Sequence, residues 1–191
     1  HEALAAVRAT LPEGVVLSTV LQPEPLGLGH AVWCARERVG DEPFAVMLPD
    51  DLVIAGKPCL RQMIDAWQEV GGNMAAVEEV PAQDTSRYGV LRVTGERGPL
   101  VAADSLVEKP RPEEAPSRLA IIGRYILQTS VLRALAAGKR GAGGEIQLTD
   151  AIADAMGSTP FHGFRFEGRR VDCGTPQGLL EGSVRVAAQQ H

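Results

Sequence analysis

Apolar positions along the chain fall into two rhythms. Val15–Leu21 is apolar and β-branched and Phe44–Leu48 is a continuous apolar run, the pattern of buried strands; Met74–Val80 reads as a third strand and Leu119–Leu127 as a further apolar one. Leu60, Met63, Ile64, Trp67 and Val70 recur at helical spacing, and Gly71-Gly72 closes that helix. Ala31–Val39, Val131–Ala137 and Thr149–Met156 are shorter helical stretches, the last with a Thr or Asp near its cap. Tyr88–Thr94 and Leu100–Val107 read as neighbouring strands joined by the turn GERGP, and Phe161–Glu167 as a further strand. Three prolines between Pro110 and Pro116 make Arg111–Arg118 an exposed loop. VDCGTP leads into a closing helix with Pro176 in its first turn, and the opening HEALAAVRATLPEG reads as helical. The order strand–helix–strand in the first half predicts parallel pairing through right-handed crossovers. The expectation is one α/β domain over 1–191, Rossmann-like, with a mixed, mainly parallel sheet flanked by helices.

Charge and composition narrow the function classes. A net charge of −5 with no basic stripe argues against nucleic acid as partner. No apolar run is long enough to span a bilayer, so no membrane role is expected. Cys34, Cys59 and Cys173 are widely spaced, without metal-ligand spacing, which predicts reduced thiols in a cytoplasmic protein. The histidines form no HExxH, and no Ser/His/Asp or Cys/His pattern suggests a protein nucleophile.

Candidate chemistry lies where strands end. Asp50 and Asp51 follow the run FAVML, at the sheet edge where open parallel sheets bind ligands. Carboxylates there suit Mg²⁺, which completes its shell with phosphates and water; the alternative is an ordinary acidic turn. Asp172, in VDCG, is a second strand-end carboxylate that either joins the same cation or caps the last helix. In VEKP, Glu108 and Lys109 point to opposite sides if the strand continues. Lys109 is either a point charge for a phosphate or half of a common surface pair. Tyr88-Gly89 is either a backbone ligand contact or a plain strand start. AAGKRGAGGE lacks phosphate-loop spacing and reads as a flexible loop. In QPEPLGLGHAV, Gly27 and Gly29 leave the backbone bare, for a turn or for something lying against it.

Taken in order, QPEPLGLGHAV, EPFAVMLPDD, RYGV, VEKP, IIGRY, GGEIQLTDAI and VDCGTPQG resemble the bacterial UTP–glucose-1-phosphate uridylyltransferases, the UDP-glucose pyrophosphorylases of the sugar-nucleotide transferase superfamily. The resemblance runs from about Gln22 to Gly182 and implies the sugar-nucleotidyltransferase fold. It implies nucleotidyl transfer from UTP to glucose 1-phosphate, giving UDP-glucose and pyrophosphate by in-line attack without a covalent intermediate. It assigns Gln22 and Gly27 to uracil and Asp50 and Asp172 to Mg²⁺. Glu108 would take the glucose hydroxyls, Lys109 the sugar phosphate, and Gly89 would line the glucose pocket with Gly123–Tyr125 close by. Asp50, Lys109 and Asp172 are the implied catalytic set. Family members also carry a glycine-rich loop of the kind Gly-x-Gly-Thr-Arg…Pro-Lys ahead of these motifs, and no such motif occurs in the 191 residues. The expectation is therefore an N-terminally truncated chain with weak or no turnover, whose exposed strand edges favour homo-oligomers. Two other readings remain at this level: a glucose-1-phosphate thymidylyltransferase, or a non-catalytic sugar-nucleotide-binding regulator.

Overall fold

The computed structural model describes residue 9 and residues 12–188. The helix expected at the opening of the chain falls mostly on residues 1–8, 10 and 11, outside the described residues. In chain order the elements are α1 (Leu28–Cys34), α2 (Arg36–Val39), β1 (Phe44–Met47), β2 (Asp51–Ile54), α3 (Cys59–Val70), β3 (Asn73–Glu79), β4 (Gly89–Arg97), β5 (Leu100–Glu108), β6 (Leu119–Leu127), α4 (Thr129–Leu135), α5 (Leu148–Ala155), β7 (Phe161–Arg165), β8 (Arg169–Asp172) and α6 (Pro176–Ala188). A short 3₁₀ turn, Ala82–Arg87, precedes β4.

Six strands form one sheet in the order β1-β6-β3-β7-β5-β4, and β2 pairs with β8 in a separate two-stranded ribbon. Side-chain alternation along the strands divides the core into two layers. Met74 and Ala76 of β3 and Ile122 and Ile126 of β6 meet Met63 of α3 on one face. Ala75 and Val77, with Ile121, Tyr125 and Leu127, face the opposite way, against Val131, Leu132 and Leu135 of α4 and Leu148 and Ile152 of α5. Both faces are therefore covered, which is why β6 reads as an unbroken apolar run: eight of its nine residues are buried.

The α/β class and the mixed sheet are as expected, but the pairing differs from the mainly parallel expectation. Among the described strands the only parallel neighbours are β3 and β7. β1 and β3 share a direction without touching, because β6 runs between them and pairs antiparallel with each. Hydrophobic periodicity reports burial, not which strand lies alongside, so the inserted strand was invisible to it.

Two further corrections concern single elements. Val15–Leu21 is not a strand; it has no regular secondary structure and is exposed, with Val16 at 89% and Leu21 at 83% of full exposure. β-branched composition favours a pleated surface, but a strand forms only where a neighbour takes up its backbone hydrogen bonds. The helix read as Thr149–Met156 begins one residue earlier, behind Gln147, with no side-chain cap bond from Thr or Asp. Asp150 instead lies in its first turn, where a carboxylate favours the helix dipole.

Candidate active site

The site is built where β1 hands over to β2 and β8 returns beside it. β1 stops at Met47, the chain turns through Leu48-Pro49-Asp50, and Asp51 opens β2. Arg124, which follows Gly123 on β6, staples that turn: its guanidinium donates to the carbonyl of Leu48 at 2.8 Å and to the carbonyl of Asp51. The register of the ribbon then sets Asp51 opposite Asp172. Cys173 N–H donates to the Asp50 carbonyl at 2.7 Å, closing the two segments on each other. A methyl group on Gly174 would sit 3.1 Å from Asp172 Oδ1 and 3.2 Å from Asp50 Oδ2. Two carboxylates more than a hundred residues apart in sequence thus flank one backbone point.

The neighbouring aspartate does different work. Asp51 is buried; one carboxylate oxygen pairs with Arg170 Nε and the other accepts the Gly123 N–H at 2.7 Å. Arg170 is itself only 10% exposed, also donates to Tyr88 Oη at 3.3 Å and lies 3.7 Å from Glu78. Burial works against its charge, yet Tyr88 and Asp51 together hold its pKa above the ordinary arginine value. Burial likewise raises the carboxyl of Glu78 and the phenol of Tyr125 above their usual ranges. The Tyr88 ring has two guanidiniums near its face, Arg170 at 5.3 Å and Arg87 at 5.5 Å. Arg87 in turn donates to Asp172 Oδ2 at 3.0 Å.

Opposite the aspartates, β5 ends at Glu108. Lys109 takes a left-handed conformation, φ 47°, and its N–H donates to the Tyr88 carbonyl at 2.9 Å. The strand does not continue, so Glu108 and Lys109 line the same cleft instead of pointing apart, with Nζ 3.6 Å from Glu108 Oε1. A cleft of about 310 Å³ joins these groups, lined also by Asp50, Gly89, Gly123, Tyr125, Glu145, Gln147, Thr149 and Asp172. A methyl at Gly89 would meet Thr149 at 2.9 Å and Glu108 Oε2 at 3.2 Å, so glycine keeps that wall open.

Gln22 and Gly27 stand apart from this lining. Gln22 Nε2 donates to the Gly27 carbonyl at 3.1 Å. Gly27 has φ 100°, and a side chain there would lie 2.8 Å from Cβ of Glu145, itself a cleft residue. At Gly29 a methyl would lie 2.6 Å from the Ile146 carbonyl, which already accepts the Gly29 N–H at 2.9 Å. The bare backbone of this stretch is thus needed for packing on Glu145–Gln147, whatever else it contacts.

Among the described residues no group of three or more His, Cys, Asp or Glu converges as a metal cage. Two carboxylates that leave most of the shell open match Mg²⁺, which binds through one or two carboxylates plus phosphates and water. Electrostatics agree: the cleft is lined by five carboxylates and three cationic side chains, and phosphates would meet net negative charge unless a cation joined them. Asp50 and Asp172 therefore fit the ion. Sequence reasoning gave no role to Arg87 or Arg170 and placed Arg124 only within the stretch Gly123–Tyr125; cross-strand register positions Arg124 and Arg170, and the end of the 3₁₀ turn positions Arg87. Gln147 and Thr149 lay within a quoted motif without a role.

A family model described as nucleotidyl transferase matches residues 2–189. The UTP–glucose-1-phosphate uridylyltransferase of Komagataeibacter xylinus is 47% identical over 192 residues, covering 96% of this chain and 66% of that protein. The protein of the same name from Bacillus subtilis is 43% identical over 170 residues, covering 89% of this chain and 58% of its own. A crystal structure of UDP-glucose pyrophosphorylase complexed with UDP-glucose superposes with a TM-score of 0.90 at 37% identity, covering 98% of this chain and 72% of that one. The chain thus spans less than two thirds of the length of either curated relative.

Proposed function

This chain belongs to the nucleotidyl transferase family, and we propose that, as one catalytic domain, it transfers a uridylyl group from UTP to glucose 1-phosphate, giving UDP-glucose and pyrophosphate. The observation that carries this reading is the convergence of Asp50 and Asp172 on Gly174, in a cleft that also holds Glu108 and Lys109. The relatives' names and their identity to this chain support the choice of UTP and glucose 1-phosphate.

The chemistry needs no protein nucleophile. A phosphate oxygen of glucose 1-phosphate attacks the α-phosphorus of UTP, and pyrophosphate leaves in line. Asp50 and Asp172 would hold Mg²⁺, which when bound screens phosphate charge and orients the attack. Lys109 Nζ neutralises the sugar phosphate, and Glu108 accepts hydrogen bonds from glucose hydroxyls. Gly89 leaves room for the ring beside Thr149. Gln22 and Gly27 take the uracil edge, the first by its amide and the second by its side-chain-free backbone. Holding two anions in attack geometry is the main contribution asked of these groups. We place the reaction in the cytoplasm; Cys34, Cys59 and Cys173 are all free thiols, and no described helix is long and apolar enough to cross a membrane.

Calorimetric titration with UDP-glucose and dTDP-glucose, each with and without Mg²⁺, tests the proposal. UDP-glucose binding that tightens with Mg²⁺, and loses that gain in Asp50→Ala, is the expected result. Equal or tighter binding of dTDP-glucose would replace it with the thymidylyltransferase reading. Binding indifferent to both Mg²⁺ and Asp50→Ala would leave a non-catalytic sugar-nucleotide binder.

A further inference from the structure

We propose that Arg87 is a shared cation of this cleft: it holds the Asp172 carboxylate until a divalent ion takes that place, and then turns its guanidinium to the phosphates of the ligand. The inference rests on the reading of Asp50 and Asp172 as the cation ligands. It starts from an asymmetry between the two. Asp172 is engaged by Arg87 at 3.0 Å, whereas the Asp50 carboxylate accepts no hydrogen bond among the described residues. One half of the cation position is open, and the other is already covered by a positive charge.

The covering contact is weak enough to yield. Arg87 keeps 54% of its side chain exposed and Asp172 31%, and an ion pair of that exposure contributes little to stability. Arg170 differs: it is nearly buried on Asp51 and cannot leave without stranding that charge. Lys109 is tied to Glu108 on the far wall. Of the three cationic side chains lining the cleft, Arg87 alone is both exposed and paired with a proposed cation ligand.

Its backbone favours the second position. Arg87 ends the 3₁₀ turn, and the next residue, Tyr88, receives the Lys109 N–H on its carbonyl. The root of the Arg87 side chain is therefore held beside the Glu108–Lys109 end of the cleft while its tip reaches Asp172. Released, the planar guanidinium offers two parallel N–H donors to a phosphate, a geometry that Lys109 cannot supply. Divalent cation and phosphate binding become coupled through one side chain, since the cation frees the group that grips the anion.

The test reads two affinities in Arg87→Gln. Mn²⁺ alone is titrated by electron paramagnetic resonance, and UDP-glucose by calorimetry at saturating Mn²⁺. A shared guanidinium predicts effects of opposite sign. Removing the competitor tightens Mn²⁺ by up to about fivefold, the ceiling for an exposed ion pair. Removing the phosphate contact weakens UDP-glucose by roughly tenfold, as for one charge-assisted hydrogen bond. Arg87→Lys, which keeps charge without the fork, should fall between wild type and Arg87→Gln in both. Unchanged or weaker Mn²⁺ binding in Arg87→Gln overturns the competition, and unchanged UDP-glucose affinity overturns the transfer to phosphate. Wild type that binds no Mn²⁺, even with UDP-glucose present, instead removes the cation reading beneath both.

Discussion

Asp50 and Asp51 are adjacent and chemically identical, yet one faces an open cleft and the other is enclosed by Arg170 and the Gly123 N–H. A buried carboxylate left without its counter-charge costs far more than an exposed pair is worth, so the arginines around the site should separate sharply by stability. Arg170→Ala is expected to lower unfolding free energy by about 3–5 kcal/mol. Arg87→Ala is expected to lower it by about 1 kcal/mol or less. Urea unfolding of both variants checks this, and similar costs would show that Asp51 is compensated by something besides Arg170. The doublet was legible as a candidate ligand pair in the sequence. Its division of labour was not, because that depends on Arg170 arriving from more than a hundred positions away.

At the scale of elements, α1 docks on the loop before α5 by a backbone contact that only glycine allows. Gly29→Ala would drive a methyl to 2.6 Å from the Ile146 carbonyl and 2.8 Å from Leu135 Cδ2. The expected cost is about 1–3 kcal/mol, the range for overpacking a tight contact. Gly56, with nothing within 4 Å of its added methyl, is the control, and Gly56→Ala should stay within about 0.5 kcal/mol. Thermal unfolding followed by circular dichroism distinguishes them; equal melting points would mean that α1 shifts without penalty. Strands β3 and β6 were readable because both of their faces pack on apolar side chains, and helix α3 because its one apolar face recurs at helical spacing. Val15–Leu21 carried the same signal and failed, since composition marks a strand's preference and not the presence of a neighbour.

For the whole molecule, that exposed run has a consequence in solution. Val16, Leu17 and Leu21 are each more than 70% exposed along one stretch, and Leu179, Leu180 and Val184 add exposed apolar surface on α6. Exposed apolar side chains grouped along one stretch favour association. Sedimentation velocity should show self-association that grows with concentration, and the double substitution Val16→Lys, Leu17→Lys should shift it towards monomer without lowering the melting temperature. A single monomeric species at every concentration would sink the expectation of a homo-oligomer.

The chain's own pattern marked most of the buried segments, Val15–Leu21 apart, placed most helices and strands, and singled out the strand ends VEKP, LPDD and VDCG as candidates for chemistry. These are local consequences of side-chain period, of glycine and proline, and of motif order. Tertiary structure alone decided that β6 separates β1 from β3, that Asp172 lies opposite Asp51, and that Glu108 and Lys109 line one wall. It also decided which charges are enclosed and which stay free to move. Such facts come from register and from contacts between remote segments, whose free energy appears only when the sheet and the ribbon are assembled.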